Sequence, residues 1–240
     1  MSTQVPTGGS GVGAGTRRPV VEPVGLGFLG MSGPTLVIEL AEPLSSAALR
    51  EFRALMVGLS SRFTEKRPGF FDVHVPVERL GVEDGWEGDG LKPFPLRVLG
   101  DAPADEGLAA LVGFDPWRED PHRPFLVYAM GPGVGDETTF EAEHADEPEV
   151  EDVLGFRPTH AVNVSACCNR GIDHVATALL TAAVMDVIGG VAKAELPDGQ
   201  VPVVAGLPGV LGIADNDWMV LGTAEFLRAW VEDPAFRLVK

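Results

Sequence analysis

The stretch Ser165–Gly190, SACCNRGIDHVATALLTAAVMDVIGG, decides how this chain is read. It places two adjacent cysteines, an Asp-His pair and a long apolar run within one segment. At about 100° per residue, Ile172, Val175, Ala176, Leu179, Ala183 and Val187 share one broad face, expected to turn inward. Asp173, Thr177 and Thr181 form a narrow polar stripe opposite. Gly189 and Gly190 stop the helix, as a C-terminal cap requires. His160–Ala166 before it and Val191–Leu196 after it read as strands, so the segment is the centre of a β-α-β unit.

An earlier unit has the same form. Thr35–Leu40 reads as a strand. Ser45 or Ser46 caps a helix with Leu49, Phe52, Leu55, Met56 and Leu59 on one face, and Gly69–Val75 is the next strand. Phe125–Met130 is a further strand, Glu149–Gly155 a short helix, and Val201–Ala205, Val210–Ile213 and Trp218–Leu221 are strand-like. Thr223 caps a last helix with Phe226, Leu227 and Trp230 inward, ended by Pro234. Two β-α-β halves predict an α+β fold, a mixed β-sheet with helices packed against it.

Two regions stand apart. Residues 1–30 are rich in Gly and Pro without apolar periodicity, which predicts a disordered leader, with Met31 an alternative start and 31–240 a single domain. Gly9, Gly11, Gly13 and Gly15 lack the flanking strand and helix that a phosphate loop needs. Residues 76–124 are irregular, with a short strand expected at Leu96–Leu99 and a helical turn at Gly107–Val112.

Charge narrows the partners. The 240 residues carry 35 acids against 18 bases, a net charge of −17. That disfavours nucleic acid and anionic membranes, and it favours encounter with a basic protein. Asp186 interrupts the longest apolar run, so no membrane span is expected. No apolar signal core opens the chain, and two neighbouring cysteines make no disulfide framework. Free thiols and a cytoplasmic location follow.

Nine acids and no Lys or Arg lie between Asp136 and Asp152. Such a run is a solvated face or a docking surface for a basic partner, with Asp136, Glu137, Glu141, Glu143, Asp146 and Glu147 as its candidate residues. At the strand-to-helix junction, Asn169 shapes the turn, Asp173 caps the helix and His174 sits on its first turn. These three are the other candidate binding residues. The alternative is a small-molecule enzyme using His174 with Cys168 or Asp173, or a ligand-binding regulatory domain. Asp186 falls inside the apolar arc and needs solvent or a cation, with Arg237, Lys240 and Lys193 as candidates. No GxSxG elbow, Walker loop or HExxH motif occurs, and the five histidines fit no metal spacing, so neither metal nor cofactor is expected.

Two stretches carry a resemblance. One is Cys168-Asn169, Asp173-His174 and the Ala/Leu helix ending in Gly189-Gly190; the other is the terminus AEFLRAWVEDPAFRLVK. Together they resemble an uncharacterised bacterial domain family whose members are similar to immunity proteins of polymorphic toxin systems. The resemblance implies a non-enzymatic interaction protein, an inhibitor that docks on a basic toxin.

Overall fold

Side chains of a strand alternate between two faces, so strands apolar on both faces must be covered twice. The computed structural model describes residues 33–82, 122–144, 147–214 and 218–239. All of them belong to one unit, Met31–Lys240. In chain order the elements are β1 (Thr35–Leu40), α1 (Ser46–Leu59), β2 (Arg62–Arg67), β3 (Phe70–Pro76), β4 (His122–Met130), α2 (Glu137–Glu143), α3 (Pro148–Leu154), β5 (His160–Ala166), α4 (Gly171–Ile188), β6 (Val191–Glu195), α5 (Val201–Val204), β7 (Val210–Ala214), β8 (Met219–Gly222) and α6 (Ala224–Val231). The expected leader 1–30, the strand at Leu96–Leu99 and the turn at Gly107–Val112 lie outside the described residues.

The eight strands form one sheet in the order β2-β3-β4-β5-β1-β6-β8-β7. The α+β class and the helices packed on a sheet are as expected. The pairing differs: every neighbouring pair is antiparallel, and the sheet is not mixed. The first expected β-α-β unit is not formed as expected: β3 runs antiparallel to β1, and the strand that follows α1 and runs parallel to β1 is β2, with β3, β4 and β5 between them. The second unit exists but is split. β5 and β6 run in the same direction, and β1 lies between them, antiparallel to both. A helical crossover fixes the direction of its two strands and leaves open which strand fills the gap.

One face of the sheet carries α1, α4 and α6. Phe52 and Met56 of α1, Leu180 and Val184 of α4, and Phe226 and Trp230 of α6 are buried there against Ile38, Phe71, Phe125, Val127 and Val164. Ser45 caps α1, its Oγ accepting the N–H of Ala48 at 3.1 Å. The other face carries α2 and α3. Phe140 of α2 packs with Phe70, Tyr128 and Met130. Val150 of α3 packs with Ala214 and Leu221. β5 lies between the two layers, and all seven of its residues are buried.

α4 is turned away from its expected orientation. Asp173, Thr177 and Thr181 are each 0% exposed; of the six residues expected to face inward, Val175 and Ala176 are buried, while Ile172, Leu179, Ala183 and Val187 are half-buried. The polar stripe can face inward because its polar groups find partners, Asp173 in Arg123 of β4 and the two threonines within the helix. Thr177 Oγ1 donates to the Asp173 carbonyl at 2.6 Å, and Thr181 Oγ1 donates to the Thr177 carbonyl at 2.7 Å. What remains of each threonine is a methyl group, which packs as an apolar residue. By length and composition α4 could cross a membrane, yet most of it is buried among the sheet and its neighbouring helices. At its end Gly190, with φ +91°, passes so close to β1 that a Cβ would stand 2.6 Å from Ile38 Cγ2.

Three further expectations change. Val201–Ala205 is the short helix α5, because Pro202 cannot donate within a strand ladder but suits a first helical turn. β2, reading RFTEKR, is a strand hidden in the sequence by its charges. Thr223 stands at the N-cap of α6, but its buried hydroxyl makes no capping hydrogen bond.

Candidate interaction site

Residues of β1 alternate, so Leu36, Ile38 and Leu40 enter the large core and Glu39 points to the opposite face. There it is 0% exposed. Lys193 of β6 occupies the diagonal position, since Val37 pairs with Lys193 and Glu39 with Val191. Lys193 Nζ lies 3.0 Å from Glu39 Oε1, in contact as an ion pair but short of hydrogen-bond alignment. It donates to Glu147 Oε2 at 2.8 Å.

His144 closes this group from the C-terminus of α2. Its Nε2 lies 2.7 Å from Glu39 Oε2 and its Nδ1 2.8 Å from the Phe140 carbonyl, with its ring stacked on Phe140. Both partners are acceptors, so both ring nitrogens carry a proton in this arrangement. Burial pushes the imidazole towards neutrality, but the Glu39 bond and charge outweigh it and raise the pKa. Lys193 follows the same pattern: burial opposes its charge, and Glu39 and Glu147 more than restore it. Glu143, although exposed, titrates above the ordinary carboxylate range. Desolvation by neighbouring protein outweighs His144 and Lys193, and Glu39 and Glu147 add repulsion.

The acidic run therefore divides in two. Asp136 is paired with Arg67, and Glu147 with Lys193. Glu137 Oε1 accepts the N–H of Gly133 at 2.7 Å, and Glu151 meets Arg157 at 3.4 Å. These acids serve the fold. Glu141, Glu143, Glu149 and Asp152 are exposed, and Glu137 is exposed as well as bound. Asp146 lies outside the described residues. Between α2 and α3 runs a groove of about 220 Å³, walled by Phe140, Val150 and Pro158 and rimmed by Glu141, Glu147, Glu151 and Arg157.

The strand-to-helix junction is a separate place. Asp173 sits at the third position of α4, where its Oδ2 accepts the N–H of Arg170 at 2.6 Å, so Arg170 and not Asp173 is the N-cap. Arg123 of β4 grips the same carboxylate at 2.6 and 2.9 Å. His174 Nδ1 accepts the N–H of Leu238 at 3.2 Å. Burial, aided by the Arg237 charge, lowers its pKa to about 4. Burial pushes the Cys167 thiol up to about 11 and raises Cys168 as well. Asn169 is exposed. The junction brings Asp173 beside Arg123, and it leaves the thiols protonated and the imidazole engaged, a poor arrangement for nucleophilic catalysis. Among the described residues no cluster of His, Cys, Asp or Glu is arranged to hold a metal.

The sequence singles out neither Glu39, His144 nor Arg123, and it offers Lys193 only as a partner for Asp186, whereas Lys193 holds Glu39 and Glu147. The one available signal was a charge in the middle of an otherwise apolar strand, as in TLVIEL and VAKAE. A family model described as a family of unknown function, DUF6368, matches residues 32–240. The chain belongs to DUF6368. No curated protein and no solved structure matches it. Within this DUF6368 chain the matched region takes in every described element, including both the buried charge group and the acid-rimmed groove.

Proposed function

We propose that this chain is a non-enzymatic interaction protein, an immunity-type inhibitor that binds a basic bacterial toxin in the cytoplasm. The acid-rimmed groove between α2 and α3 carries this reading. It offers Glu141, together with Glu147 and Glu151 that already hold Lys193 and Arg157, beside Phe140, Val150 and Pro158 to one long basic side chain, on a chain of net charge −17. Long-range attraction from such a surface speeds encounter with a cationic partner, and the fixed carboxylates then select its register. The state of the junction supports the same view: its aspartate, histidine and cysteines are held in structural contacts or in unreactive protonation states.

The test is co-expression with any toxin domain found encoded beside the gene. A stable complex is expected, weakening by about tenfold or more from low to high salt and again on Glu141→Lys. A complex indifferent to both salt and that charge reversal would sink the proposal, as would failure to form any complex.

A further inference from the structure

A sheet of eight strands has two edges, and here they are unlike. The β2 edge carries Arg62, Glu65, Lys66 and Arg67, with Glu65 bound to Arg53 and Lys66 to Asp72. Charge of this kind, lysine above all, discourages pairing with another strand. The β7 edge, Val210–Ala214, carries no charged side chain. It pairs with β8 alone, and no described strand lies beyond it. Alternate residues of such an edge turn N–H and C=O away from the partner strand, with the Val210 N–H meeting the Leu207 carbonyl at 3.5 Å.

Two large exposed apolar side chains bracket this edge. Leu211, at the bulge near the start of β7, is 49% exposed. Trp218, 58% exposed, directly precedes Met219, which pairs with Ala214 at the other end of β7. The Trp218 carbonyl accepts the N–H of Leu196 at 2.7 Å, which ties the residue to the end of β6. Tryptophan is the residue type most enriched where binding energy concentrates. Acidic α3 lies over the same strand: a Cβ on Gly212 would stand 2.6 Å from Val153, and Asp152 beside it is exposed.

We infer that the β7 edge is where the basic partner adds an extended strand, with main-chain hydrogen bonds to β7, an apolar contact on Trp218 and cationic side chains towards α3. This rests on the reading above, which supplies the charge of the partner. A second copy of the chain is the less favoured occupant, because it would bring two bodies of charge −17 together. Strand addition draws affinity from the backbone and specificity from alternate side chains.

The probe is a synthetic peptide of alternating lysine and valine, added to the isotope-labelled full chain and followed by amide chemical shifts. Shifts across Val210–Ala214 are expected. They should weaken by about tenfold when the peptide is N-methylated at alternate residues, and by a similar factor in Trp218→Ala. An alternating glutamate-valine peptide should not bind. Shifts confined to α2 and α3 would overturn the edge proposal while leaving the acidic-groove reading standing. Equal binding of the glutamate peptide, no binding of either, or β7 shifts that grow with protein concentration alone would each overturn it too. Loss of the toxin complex in Glu141→Lys with the peptide still seated on β7 marks the groove and the edge as separable parts of one surface.

Discussion

Arg123 meets Asp173 through two nearly parallel contacts of 2.6 and 2.9 Å, and the two side chains are 6% and 0% exposed. This pair ties β4 to the first turn of α4, where the carboxylate also accepts the Arg170 N–H. Burying both ions is expensive, so the pair gives little net stability against an apolar replacement. Breaking it is another matter. Arg123→Leu should cost about 3–5 kcal/mol in urea unfolding, because it leaves a buried carboxylate without its cation. Adding Asp173→Leu to that variant should restore part of the loss. A double variant no more stable than the single one would show that the carboxylate acts mainly as a cap.

Lys193 stands between two carboxylates, one of them fully buried. Lys193→Met keeps the length of the side chain and removes the charge. We expect a loss of about 3 kcal/mol or more in the same measurement. We also expect α2 to exchange its amides faster, since Glu39 would then hold only His144.

Two histidines set opposite slopes in stability against pH. His174 has a lowered pKa, about 4 against an unfolded value of about 6.5. Its contribution is complete above pH 6.5 and is lost as pH falls towards 4, on the order of 3 kcal/mol in all. His144 has a raised pKa, so its contribution is complete below about pH 6.5 and is lost as pH rises through the folded value. Stability should therefore peak near pH 6.5. His174→Gln should flatten the acid side alone and His144→Gln the alkaline side alone, as read from melting temperatures across pH.

Asp186 is paired with Arg228 of α6 and, among the described residues, with neither Arg237 nor Lys193; Lys240 lies outside them. Both side chains are about half exposed, and α4 and α6 pack together at this point. An exposed pair of this kind contributes little. Asp186→Asn should shift stability by less than about 1 kcal/mol, and a larger drop would mean that the pair holds α6 in place.

Much of this fold was legible because its signals are local. The caps and apolar spacing of α1, α4 and α6 mark those helices, and β-branched runs mark β1, β4 and β5. β2 was missed because an edge strand has no need to be apolar, and RFTEKR shows only its charges. α5 was mistaken because Val201, Val203 and Val204 favour strands, whereas Pro202 decides the matter through its missing N–H. Within the site, the acidic run was visible as composition. Which acids are exposed and which are bound to Arg67, Lys193 or Gly133 was not, because those partners lie up to about 70 residues away in the chain.

By itself the sequence determined most of the elements, though not β2, α2 or α5, and with them the excess of negative charge, since caps, periodicity and composition act over a few residues or over none. Only the tertiary structure decided that the strands pair antiparallel throughout, that α4 turns its threonines inward, and that Glu39, Lys193, His144 and Glu147 meet. Each of those outcomes depends on which distant surfaces are left to cover one another, and on whether a buried polar group finds its partner there.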